Sequence, residues 1–133
     1  MREITDHIVS GDQAVQLKIV VLDEPGAGGA NHRYNIDWYD GLKRDLPDSK
    51  NTASRAECFI GFQDGPIKEM GVNGVTQEAL LAIVIDRLRS FQAGPFACQD
   101  NEDALRACQV ALGKLQQRTL ARIKRGVEGT NQK

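Results

Sequence analysis

The residues best suited to chemistry lie on a cationic stretch near the end of the chain. Between Ala104 and Arg125 there is no acidic side chain, while Arg106, Lys114, Arg118, Arg122, Lys124 and Arg125 all carry positive charge. At helical spacing, Lys114, Arg118, Arg122 and Arg125 fall within an arc of roughly 80°, beside an apolar seam rather than opposite it. Two readings follow. The stripe is a solvated face whose cations complement a helix C-terminus, each contributing about 0.3–1 kcal/mol. Alternatively its guanidinium forks face phosphate groups.

A second anion-binding candidate is the loop Glu24-Pro25-Gly26-Ala27-Gly28-Gly29-Ala30-Asn31. Its glycines, Gly26 and Gly28 foremost, would let backbone N–H groups approach a phosphate, with His32 and Arg33 as donors beside them. The loop is not a P-loop, because no Gly-Lys-Ser/Thr follows. Nor is it a dinucleotide fingerprint, because Asn31 occupies the third glycine place and a strand follows. A plain flexible connection is the alternative. Phe91 is either a core side chain or a platform on which a base stacks. Asn101 is either a helix N-cap or a ligand contact.

Catalytic constellations are missing from the pattern. The two histidines, His7 and His32, are far apart in sequence. No metal-ligand spacing, no nucleophile elbow and no paired carboxylates are visible. A binder without catalytic residues, metal or cofactor is therefore expected. The net charge of −1 argues against long nucleic acid as a partner. Three cysteines, Cys58, Cys98 and Cys108, form no CxxC pair and fit reduced thiols in a cytosol. Residues Met1 to His7 contain no apolar signal-peptide core. The longest apolar run, Leu80 to Ile85, is too short to span a bilayer.

The elements that must position these residues divide into two kinds. Val15 to Asp23 and Arg33 to Tyr39 alternate as strands, the second with Tyr34, Ile36 and Trp38 on one side and Asn35 and Asp37 on the other. Cys58, Ile60 and Phe62 mark a third strand. Asp64-Gly65 signals a hairpin turn, with 66–70 as a returning edge strand. The polar stretch Asp40 to Arg55 reads as a long surface loop. Thr76 is a suitable N-cap for a helix with Leu80, Leu81, Val84, Leu88 and Phe91 on one stripe, stopped by Gly94-Pro95. A second helix starts near Asp100 or Asn101, buries Leu105, Cys108, Ala111, Leu112, Leu115 and Thr119, and stops at Gly126. The expectation is one α+β domain: a small antiparallel sheet or sandwich over 1–70, a C-terminal antiparallel helical hairpin over 71–126, and a tail over 127–133. The breadth of the Leu80, Leu81, Val84, Ile85 and Leu88 face calls for a second subunit.

Phe62 to Thr76, Glu78 to Leu88, Phe91 to Cys98, Arg118-Thr119 and Arg125 to Thr130, extended by Glu24 to His32, resemble phage Thoeris anti-defence sponge proteins. The helical hairpin is similar to that of an anti-CBASS sponge family. The resemblance implies sequestration of cyclic ADP-ribose isomers, with cyclic oligonucleotides at a separate site, in dimers and often hexamers in the host cytoplasm. It further implies that Phe91 and Arg118 sandwich a base from different subunits and that Asn101 contacts the ligand, while the cationic stripe adds Arg122 and Arg125 as candidate ligand contacts. The rival classes are an enzyme degrading such a nucleotide and a phage structural or DNA-binding protein. The sequence departs from the family at Gln99-Asp100-Asn101, where Arg-Glu-Asn is common, and at Gly113, which costs its helix about 1 kcal/mol against alanine. The stretch Asp40 to Arg55 lies outside the likeness.

Overall fold

A computed structural model describes residues 1–11, 17–40 and 54–132. The chain packs as two compact units, Met1–Gly61 and Phe62–Lys133.

The first unit is an antiparallel sheet of four strands in the order β1 (Arg2–Ile4), β2 (Lys18–Val21), β3 (Arg33–Asp40) and β4 (Ser54–Gly61). Alternation determines its two faces. Ile4, Ile19, Ile36 and Cys58 stand opposite one another across the strands, as do Val21, Tyr34 and Ile60. These cross-strand apolar pairs hold the sheet together, and Val21 is only 1% exposed. The other face carries Lys18 opposite Asp37 and Val20 opposite Asn35. The two central strands follow the expected pattern. β1 was not anticipated, because Arg2–Ile4 offers one apolar residue and no alternation to read. β4 starts at Ser54, so the end of the expected 40–55 loop is strand; residues 41–53 lie outside the described residues.

The second unit opens with a correction. The segment 66–70 is not a returning strand but a single helical turn, α1 (Ile67–Met70). Pro66, with φ −67°, suits the start of a helix, and its carbonyl accepts from Glu69 and Met70. Gly71, at φ 70°, closes the turn. Two side-chain amides hold the ends together. The Asn73 backbone N–H donates to Gln63 Oε1 at 2.9 Å, the Asp64 N–H to Asn73 Oδ1 at 2.8 Å, and Asn73 Nδ2 to the Asp64 carbonyl at 2.8 Å. Phe62 then bridges Val75 in parallel, and a Cβ at Gly74 would run into the Phe62 peptide.

Helix α2 (Gln77–Gln92) starts where expected, with Thr76 Oγ1 accepting from the Ala79 N–H at 3.1 Å. Helix α3 (Gln99–Lys124) is capped by Cys98, whose Sγ accepts from the Asn101 N–H at 3.4 Å. Asn101 is therefore inside the first turn and is not the N-cap. The helices pack into a hairpin around Ile85 and Leu105, 3% and 8% exposed, with Leu80, Leu81, Leu88, Leu112 and Leu115 half-buried. Ala111 is exposed rather than on the buried stripe. Ile83, Val84, Val110, Leu120 and Ile123 are also exposed, so each helix keeps apolar surface outside the seam.

The C-terminus of α3 folds back on itself. Gly126, at φ 70°, ends the helix, and the N–H groups of Gly126 and Val127 return to the carbonyls of Ile123 and Arg122. The Arg122 guanidinium then gathers the tail: Nε donates to Glu128 Oε2 at 3.0 Å, Nη2 to the Val127 and Thr130 carbonyls, and Nη1 to the Gln132 carbonyl. With the side chain only 16% exposed, Arg122→Ala should lower unfolding stability by about 2 kcal/mol, the range for hydrogen bonds to a charged group. An unchanged urea midpoint would show that the tail does not depend on this clasp.

Candidate functional site

Phe91 and Asn101 meet the hairpin turn from its two sides, and Gln92 fixes the turn between them. Gln92 Oε1 accepts from the Cys98 N–H at 3.1 Å, and its Nε2 donates to the Cys98 carbonyl at 3.1 Å and to Glu102 Oε2 at 3.3 Å. The side-chain amide thus pairs with a peptide as a strand neighbour would. Asn101 Nδ2 donates to the Phe96 carbonyl at 3.4 Å, a long bond. Phe91 is 40% exposed, too open for a core phenylalanine. The Arg87 guanidinium stands over its ring, 5.6 Å from the centroid. Sequence reasoning missed Gln92 and Arg87. Arg87 lies one helical turn before an aromatic, and that spacing was the available signal.

The basic stripe does not act as one surface. Arg122 is committed to the tail. Arg106 pairs with Glu102 at 3.7 Å, one turn away. Arg118, Lys114 and Arg125 remain exposed, Arg125 being the C-cap of α3. Because Gln92 is bonded to Glu102, the turn end of the hairpin is level with Glu102, and Arg118 lies roughly 24 Å farther along α3 at about 1.5 Å per residue. Phe91 and Arg118 of one chain therefore cannot face the same small molecule.

The glycine-rich loop belongs to the first unit. It forms a 3-10 turn, Ala27–Gly29, in which Gly28 and Gly29 take φ of 75° and 78°. Gly26 donates to the Ala30 carbonyl and accepts from the Gly29 N–H, so two of the glycine amides are already paired inside the loop. A Cβ at Gly28 meets nothing within 4 Å. Asp23 ties the loop down: its carboxylate accepts the backbone N–H groups of His32 at 3.0 Å and Arg33 at 3.2 Å, while Asn31 Nδ2 donates to the Asp23 carbonyl. The His32 side chain is 7% exposed and so is buried, whereas Arg33 is exposed. Beside β2 and β3 lies an open cleft of about 410 Å³, whose lining includes Lys18, Asn35, Asp37 and Arg55. Arg55 and Asp37 of this lining form an ion pair at 3.1 Å.

Residues 54–119 match the family described as Acb2/Tad1, hairpin domain. The chain carries an Acb2/Tad1 hairpin domain. A curated relative, "Thoeris anti-defense 1" of Bacillus phage SBSphiJ7, is 47% identical over 74 residues, covering 56% of this chain and 52% of that protein. The chain thus spans about half the length of the curated relative it matches. The Acb2/Tad1 match contains Phe91, Asn101 and Arg118 together with α2 and most of α3.

The Asp23 lock carries a pH dependence. Burial pushes the carboxyl up, but the backbone N–H groups of His32 and Arg33 and the Asn31 amide outweigh it and hold the group below its ordinary value. A lowered folded value gives stability that is present above the unfolded carboxylate range, near 3.9, and lost as pH falls through the folded value. The His32 and Arg33 amides should therefore keep their hydrogen-exchange protection from neutral pH to below about 4 and lose it only as pH falls through the lowered Asp23 value. Asp23→Ala should remove the protection at every pH, and equal protection in both proteins would discard the lock.

Proposed function

We propose that the chain is a phage anti-defence sponge. It binds cyclic ADP-ribose isomers and withholds them from host immunity without turning them over, acting in the host cytoplasm. The observation that carries this reading is the placement of Phe91. Its ring is exposed at the turn end of the hairpin, and Arg118 of the same chain is roughly 24 Å away along α3. A base stacked on Phe91 then takes its second wall from Arg118 of another copy. The exposed Ile83, Val84, Leu120 and Ile123 give such a copy apolar surface to cover, and dimers or hexamers are the assemblies proposed. Arg125, exposed at the end of α3, supplies further positive charge on that face. Arg122 serves it by anchoring the tail.

Affinity has to come from enclosure. Cyclic ADP-ribose has roughly thirty-five non-hydrogen atoms, and at about −0.3 kcal/mol each that allows about −10 kcal/mol, or tens of nanomolar. Closing a ligand between two rigid hairpins limits the ordering that binding must offset.

Phe91→Ala and Arg118→Ala should each weaken cyclic ADP-ribose binding by about 1–3 kcal/mol, the cost of a lost stacking partner. Mixing the two variants under conditions of subunit exchange should restore a fraction of full-affinity sites in calorimetry, since one wall can come from each. Failure to complement, with exchange verified by mass, would place both residues in one chain's site or in none. Release of chemically intact ligand on heating separates a sponge from an enzyme.

A separate site for a cyclic oligonucleotide is proposed at the glycine-rich loop, with Gly26, Gly28, His32 and Arg33. The open space at Gly28 and the exposed Arg33 support it. His32 contributes through its place under the loop. Gly28→Val, strained at a φ of 75°, should abolish cyclic oligonucleotide binding and leave cyclic ADP-ribose binding nearly intact. Competition between the two ligands in titration would reduce the two sites to one.

A further inference from the structure

We infer that Arg87 is a positioning residue for the base platform, a role that rests on the reading of Phe91 as the stacking surface. Arg87 precedes Phe91 by one turn of α2, and both side chains are exposed. The guanidinium carbon lies 5.6 Å from the ring centroid. A planar base inserted between them would need roughly 7 Å, two contacts of about 3.5 Å. The Arg87 side of the ring is therefore taken, and a ligand can stack only on the opposite side.

The contact has two consequences. A cation held by the ring quadrupole restrains the phenyl plane, so the platform is oriented before a ligand arrives and less ordering is lost on binding. The same contact decides which face of Phe91 is offered, and so the direction from which the base and its second wall approach. In the assembled site the order is Arg87, Phe91, base, then Arg118 of the other copy, with a guanidinium at each end.

The test is a double-mutant cycle by calorimetry with cyclic ADP-ribose as the probe. Arg87→Met keeps the aliphatic reach and removes the cation; it should weaken binding about 2- to 5-fold, the size of an exposed cation–π contact. Arg87→Lys should retain most of the affinity. In a Phe91→Leu background, Arg87→Met should have no further effect, because its action passes through the ring. Tighter binding by Arg87→Met would mean that Arg87 competes with the base, and equal losses in both backgrounds would mean that it touches the ligand directly. Either result overturns the inference, as does unchanged affinity for Arg87→Met. Wild-type affinity in Phe91→Leu would remove the platform itself, and with it the proposed site.

Discussion

The hairpin half of the chain depends on one side-chain amide. Gln92 ends α2 and bonds both the N–H and the carbonyl of Cys98, the residue that caps α3. It replaces the peptide partners that a tight turn between helices lacks, and it sets the level at which the helices meet. Phe91 is its chain neighbour and Asn101 is held through the Cys98 cap. The candidate platform and its polar neighbour are thus fixed by the same three hydrogen bonds. An apolar seam alone would let two helices slide by a turn at small cost. The amide removes that freedom at the end where chemistry is proposed.

The same device recurs where the chain needs irregular backbone. Gln63 and Asn73 exchange bonds with one another's backbone neighbours around α1. Asn31 and Asp23 do so around the glycine-rich loop. These groups explain what was legible in the sequence. Thr76 and Gly94-Pro95 bound α2 by local rules, and Gly126 ends α3 by its positive φ. The central strands announce themselves by alternation. The turn after Asp64-Gly65-Pro66 was misread because its shape is set by amides outside it, at 63 and 73. The α3 cap was misassigned because thiol sulfur is a weak acceptor, so Asn101 looked like the better cap.

The cationic stripe shows how far periodicity can carry a site. Spacing placed Arg118 and Arg122 on one arc, one turn apart, and they share it. Their environments differ because the chain continues past Gly126. The Schellman turn brings the 127–132 backbone over Arg122, whose fork collects the Val127, Thr130 and Gln132 carbonyls. Arg118, one turn earlier, lies beyond the reach of that tail and stays exposed. No helical-wheel argument separates the two, since the difference arises from residues that follow the helix. Phe91 was ambiguous for the matching reason: a stripe position says that a ring faces the seam side, not how far the seam extends.

Length then decides what kind of site the hairpin can form. α3 has 26 residues against 16 for α2, so Arg118 and Arg125 sit toward the end remote from the turn. A helix is rigid over that span, and no side-chain rotation brings Arg118 to Phe91 in one chain. Two antiparallel copies, however, place the turn end of one beside the remote end of the other. In the proposed assembly a two-fold axis would create two equal pockets at once, each with a platform from one chain and a guanidinium from its mate. Under the proposed function, capture of a small nucleotide and association of two copies would be the same event: a hairpin too long to close on its own ligand would close on a partner's.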